Sequence, residues 1–184
     1  NGGNQTVSVI DANFDDNQQP SNIIFNRAPG LPAVVQNQRL ELTQAANSLQ
    51  GTAIISKPDS NQLLPGFFST FDMLIGNPAG NGADGVAFVY GDLPDSALFG
   101  ENYGGAGLQI QFDTYDNGGG EAPAFKLVYN NVLVKRVNVT DAVLETNVFT
   151  PVSINVTPNG VVTLHHDNNL IFSTQITNWN PQSN

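Results

Sequence analysis

Residues 154–176 read INVTPNGVVTLHHDNNLIFSTQI, and the order of residue types in this stretch decides the fold. Apolar side chains recur at every second position, at Ile154 and Val156, at Val162 and Leu164, then at Leu170, Phe172 and Ile176. That is the period of a strand with one buried face. PNG at 158–160 separates the first two runs, and Asn168 with Asn169 separates the next two. Gly and Asn accept the positive φ that tight hairpin turns demand, so both connections read as turns between antiparallel neighbours.

The same signature extends outward over the chain. Short β-branched and aromatic runs stand between Gly, Pro, Asn and Asp clusters at 6–14, 39–43, 51–57, 67–75, 85–91 and 108–115. Others follow at 124–129, 132–139, 151–156, 161–167 and 170–176. No segment sustains a 3.6-residue apolar period. About eleven strands with no intervening helix imply antiparallel pairing, and hence an all-β sandwich or closed barrel. VAFV at 86–89 is apolar on both faces and is expected to be a central strand, covered on both sides. There is no internal repeat and no composition break, so residues 1–184 are expected to form a single domain.

Charged residues make up 12% of the chain, and six Lys and Arg face sixteen Asp and Glu for a net charge of −10. Nucleic acid and anionic membrane surfaces need a basic footprint, so neither is an expected partner. No apolar run approaches the roughly 20 residues of a membrane span. Cysteine is absent, which removes disulfides and thiolate metal sites. An Asn/Gln/Thr-rich, Lys-poor, cysteine-free chain fits a secreted bacterial protein. The chain begins at Asn and not Met, from which a mature product or an excised domain is expected.

Residues 109–117, QIQFDTYDN, raise the question of chemistry. Strand parity places Gln111, Asp113, Tyr115 and Asn117 on one face and Asp116 on the other. Hydrolysis of a glycoside needs two carboxyl groups flanking the bond, and this face carries one. The four glutamates, Glu41, Glu101, Glu121 and Glu145, show no paired spacing within a strand, though a second acid can come from another strand. No Gly-x-Ser-x-Gly elbow is present. His165 and His166 are adjacent, point opposite ways and cannot chelate one ion together; they read as exposed residues of an edge hairpin. Calcium, by contrast, takes carboxylate, amide and carbonyl oxygens. Asp113, the Tyr115 carbonyl and Asn117 supply that set at a strand end, though an Asp and an Asn closing a strand before a turn is an equally good reading. The glycine-rich loops 76–84 and 116–122 are too poor in apolar residues to be held by packing. They are either binding loops on a rigid scaffold or loose connectors.

GADGVAF at 82–88, followed by QFDTYDN at 111–117, resembles the L-type lectins, the family of the legume seed lectins and animal cargo lectins. FFSTFDMLI at 67–75 and FGENYGGAGLQI at 99–110 fall in the matching order, and the likeness runs from about Gly51 to Ile176. It implies an antiparallel β-sandwich of the legume-lectin jelly-roll type, in a bacterial member of the group. It further implies non-catalytic carbohydrate binding beside calcium, outside the cell, as in a lectin or adhesin module. Asp84, after a cis Ala83–Asp84 peptide, would accept hydrogen bonds from sugar hydroxyls, and Gly104 or Gly105 would offer a backbone N–H. Tyr115 would lend its ring to the sugar and its carbonyl to the metal. Asn117 would contact both, Asp113 would be a calcium ligand, and Glu121 or Asp116 would complete the acidic set. The ligands implied are neutral sugars or surface glycans.

Two departures stand out. Gln111 occupies the place of a glutamate that binds a transition metal in legume lectins, and the downstream histidine ligand has no clear counterpart. One calcium ion and no transition metal are therefore expected. The family's closing strands after Thr177 also find no counterpart here: either they are truncated, or the strand at 6–14 closes the sheet, or a neighbouring molecule supplies a strand to the open edge. The last gives a second reading, a structural or assembly subunit of a homo-oligomer or surface filament. A glycoside hydrolase is the third reading.

Overall fold

The structure, a computed structural model, describes residues 9–27, 33–44, 46, 48–55, 64–76 and 82–180. Its residues fall into two compact units. In the first, β1 (Ile23–Arg27) pairs antiparallel with β4 (Gly51–Ile55), and β2 (Val34–Gln36) with β3 (Arg39–Glu41). Residues 93–98 belong to the same unit. They are tied in through the Ala97 carbonyl, which accepts from the Thr52 hydroxyl at 2.7 Å and the Asn26 amide at 3.0 Å. The strand expected at 6–14 is not formed over 9–14, and residues 6–8 lie outside the described set. Local polar groups win there. Asn13 Oδ1 accepts from the Asp15 N–H at 2.7 Å and Asp16 Oδ1 from the Gln18 N–H at 2.8 Å, which are turns that compete with a ladder.

The second unit holds two four-stranded antiparallel sheets. One is built from β6 (Gly85–Tyr90), β7 (Leu108–Asp113), β8 (Ala124–Tyr129) and β9 (Val132–Asn138), in that order. The other contains β5 (Phe67–Met73), β10 (Thr150–Val156), β11 (Val161–His166) and β12 (Asn169–Gln175), in the order β12-β11-β10-β5. One helical turn, α1 (Asp141–Leu144), links them. Among the described residues no helix is long and apolar enough to cross a membrane.

Alternation along the strands becomes a core between the sheets. Ile110, Phe112, Phe125 and Leu127 meet Val152, Ile154, Val162, Leu164 and Phe172, all 4% exposed or less. Rings cross the gap: Phe71 of β5 stacks on Phe88 of β6 with centroids 6.1 Å apart, and Phe67 lies 4.6 Å from Tyr90. Burial of such side chains is worth roughly 1.5–3 kcal/mol each, which holds two amphipathic sheets face to face as a sandwich.

Both hairpins of 154–176 form. At the first, Gly160 has φ +83° and its N–H reaches the Thr157 carbonyl at 2.8 Å. At the second, the positive-φ residues are Asp167 and Asn168, one position earlier than expected, because His166 pairs with Asn169 across the turn. Asn130 and Asn131 make a third such turn between β8 and β9.

Two other expectations change, and one feature was not foreseen. β6 is the outermost of its four described strands and is half-buried along its length, whereas β7 and β8 are central and buried on both faces. VAFV is therefore not the central strand. β7 carries the polar residues Gln109 and Gln111 on its outer face, yet both are buried. The loop that follows β6 lies over them: Gln109 Oε1 accepts the Tyr103 N–H at 3.1 Å and its amide donates to the Gly105 carbonyl at 3.4 Å. Finally, His165 and His166 do face opposite ways, but His166 is 3% exposed, with its ring 5.2 Å from that of Phe125 inside the sandwich.

Candidate functional site

Antiparallel pairing of β6 with β7 puts Gly85 opposite Asp113, and so joins the two motifs singled out in the sequence. The ladder continues one step beyond the strands. The Thr114 N–H donates to the Asp84 carbonyl at 3.0 Å, and its hydroxyl donates to the Gly82 carbonyl at 3.3 Å. Gly85 is required between them. Its φ is +136°, and a Cβ there would stand 2.2 Å from the Phe112 carbonyl oxygen. The Ala83–Asp84 peptide is cis, as is Ala122–Pro123. The result is an exposed Asp84 side chain fastened by its backbone to the end of β7.

The other residues named from sequence collect on the loop after β7. Asp113 is 1% exposed, whereas Tyr115 is 48% exposed and Asn117 is exposed with it. Asp113 Oδ1 accepts the Tyr115 N–H at 3.2 Å, and the Asn117 amide lies 3.5 Å from the Tyr115 carbonyl. Glu121 Oε1 accepts the Asn117 N–H at 3.2 Å. Asp113, Tyr115, Asn117 and Glu121 thus form one group of hard oxygens. It contains two acids, and among the described residues no cluster of three or more His, Cys, Asp or Glu is placed to hold a metal. An amide, a carbonyl and two carboxylates still suit calcium.

Asp116, the other acid considered as a ligand, is bonded to the backbone of its own loop. Its exposed carboxylate accepts the N–H groups of Gly118 at 2.8 Å, Gly120 at 3.0 Å and Glu121 at 3.2 Å. These bonds, led by that from Gly118, lower its pKa. Gly118, Gly119 and Gly120 all have positive φ, which turns successive N–H groups inward. The Asn138 amide donates to the Gly120 carbonyl at 3.0 Å. The loop is therefore held by hydrogen bonds in place of packing.

Of the two glycines, Gly104 commits its N–H to Asn102 Oδ1 at 2.9 Å. Residues 77–81 of the loop before Asp84 lie outside the described residues.

Two residues that contact this group were not expected from the sequence. Lys126, in the middle of β8 and 8% exposed, forms ion pairs with Asp113 Oδ2 and Glu121 Oε2. Burial alone would lower its pKa, but hydrogen bonds to the two acids outweigh that and raise it; the Lys126 ammonium in turn holds Glu121 below the usual range. Glu101, on the loop over β7, is pushed up to about 8 by burial, then by its hydrogen bond to Asp113 and by the charges of Asp113 and Asp84. It is the second acid, drawn from outside the strand. The signal for Lys126 was available: a lone lysine inside AFKLVY, in a chain with six basic residues, needs acidic partners.

No protein-family model matches the chain, and no curated protein does. A solved lectin from Bauhinia forficata, in complex with GalNAc, is similar in structure with a TM-score of 0.62. It is 19% identical, and the alignment covers 84% of this chain and 76% of that one. At that identity the likeness shows the fold, an antiparallel β-sandwich of the legume-lectin type.

Proposed function

We propose that this sandwich binds neutral carbohydrate, with one calcium ion, as a lectin or adhesin module of a secreted or surface protein. One observation carries the reading: the Asp84–Thr114 bond sets an exposed carboxylate beside a strand end that carries an exposed tyrosine ring and an exposed amide. Hexoses present hydroxyl pairs and apolar C–H faces. A fixed acceptor, an N–H donor and an aromatic surface complement both. Asp84 accepts from two hydroxyls, Gly105 donates its N–H, Tyr115 covers the ring face and Asn117 contacts sugar and metal. Calcium would be held by Asp113 Oδ1, the Tyr115 carbonyl, the Asn117 amide oxygen and Glu121 Oε1, and would supply a fixed charge that orients Asn117.

The test is a glycan array of neutral oligosaccharides, read with calcium and with EGTA, for the wild type, Asp84→Ala and Asn117→Ala. Binding lost in both variants and in EGTA is expected. Binding that survives Asp84→Ala refutes the site. A second reading, assembly through a sheet edge, is favoured by β9, which is outermost among its described strands and exposes Val132 at 63% and Leu133 at 51%. An empty array together with concentration-dependent self-association would select it.

A further inference from the structure

Lys126 does more than balance charge. Asp113 and Glu121 each give one oxygen to its ammonium and the other to the backbone of 115–117: Asp113 Oδ1 to the Tyr115 N–H, Glu121 Oε1 to the Asn117 N–H, both at 3.2 Å. The ammonium thus joins the end of β7, the middle of β8 and the far end of the loop between them. The residue in register with it on β7 is Gln111, a neutral amide that is buried and donates to Gln109 Oε1 at 3.3 Å.

These surroundings do not fit a transition metal. Such ions take imidazole, thiolate or carboxylate ligands, and an ammonium has three donors and no lone pair to give. An ion placed between the inner oxygens of Asp113 and Glu121 would have to displace Lys126. It would then share the space with that positive charge, and desolvated like charges repel strongly. The outer oxygens accept the Tyr115 and Asn117 N–H groups, and each has a second lone pair to give to one hard cation.

We infer that Lys126 is a tethered cation that replaces a metal ion between Asp113 and Glu121. It is a positioning residue, and it shapes the loop bearing Tyr115 and Asn117 whether or not a divalent ion is present. The site accordingly carries one exchangeable ion, and transition metals find no place in it. The inference takes the purpose of the loop from the proposed function, but its chemistry is testable without sugar.

The experiment uses the full chain and Mn²⁺ added in excess Ca²⁺, with bound Mn²⁺ measured from the loss of the free-ion paramagnetic resonance signal. Wild type is expected to take up no Mn²⁺. Lys126→Ala removes the charge between two carboxylates and is expected to gain one Mn²⁺ per chain, with a thermal midpoint that rises on Mn²⁺ addition. Lys126→Arg keeps the charge and is expected to bind none. If Lys126→Ala does not fold, refolding it with Mn²⁺ present gives the same reading, because recovery supports replacement by the ion. Mn²⁺ uptake by wild type in excess Ca²⁺ overturns the inference. So does a Lys126→Ala chain, folded or not, that gains no Mn²⁺. Failure of glycan binding with this Mn²⁺ pattern intact would instead remove the proposed function and leave Lys126 its role.

Discussion

His166→Leu should make the protein more stable and change the response of its stability to pH below about 6.5. The side chain is 3% exposed, and its Nε2 is buried with no hydrogen-bond partner. An unsatisfied buried polar atom costs roughly 1–3 kcal/mol, and leucine fills a similar volume beside Phe125 without that cost. Near neutral pH the variant should gain about 1 kcal/mol or more, which is about 2–4 °C in thermal midpoint for a domain of this size. The pH effect has a definite sign. Burial lowers the His166 pKa below 6.5, and Asp167 opposes this only in part. Below pH 6.5 the unfolded chain binds a proton that the folded chain refuses. The contribution to stability is therefore complete above that value and is lost as pH falls towards the folded value, at up to about 1.4 kcal/mol per pH unit. Glu101, raised to about 8, slopes the opposite way in the same window, because the folded state holds its proton more tightly. The quantity to measure is thus the difference between wild type and variant, from urea denaturation at intervals between about pH 8 and about pH 5. The difference should widen below pH 6.5. Parallel curves would refute the reasoning, since His166 would then titrate alike in both states.

Other outcomes follow from single contacts. Gly85→Ala should cost at least about 1–3 kcal/mol in urea denaturation, because only glycine suits φ +136° with the Phe112 carbonyl so close. Glycan binding through the adjoining Asp84 should weaken with it. Asp116→Ala should speed amide hydrogen exchange at Gly118, Gly120 and Glu121 and lower calcium affinity in titration calorimetry, while β10 to β12 stay protected. Phe125→Ala should lower stability by about 3–5 kcal/mol in the same denaturation assay, since its ring is fully buried, 5.7 Å from Phe112.

Much of the fold was legible because its determinants are local. The turn residues at 158–160 and 167–169 and the two-residue alternation between them act over a few positions, and β8 from Ala124 to Tyr129 could be read to the residue. Of the two short pairs, β3 and β4 fall within the runs expected at 39–43 and 51–57, whereas their partners β2 and β1 were not read. IIFNR becomes a strand only by pairing with residues that begin at Gly51, far along the chain. The strand expected near the N-terminus failed for the opposite reason, since Asn13 and Asp16 bond to the backbone nearby.

The same division runs through the site. Sequence alone determined that Asp84 stands before a glycine, and that Asp113, Tyr115 and Asn117 occupy one strand end. It also determined that Gln111 departs from a metal-binding pattern. Those are matters of residue type and spacing along one strand or one turn. Tertiary structure decided which acid is buried and which is exposed, because burial depends on the loop laid over β7. It also decided that Glu101 from that loop and Lys126 from β8 converge on Asp113. A charge in the interior acquires its meaning from its partners, and the partners of Asp113 come from three separate segments. Only their convergence puts a lysine where the sequence had suggested no more than the absence of a second metal.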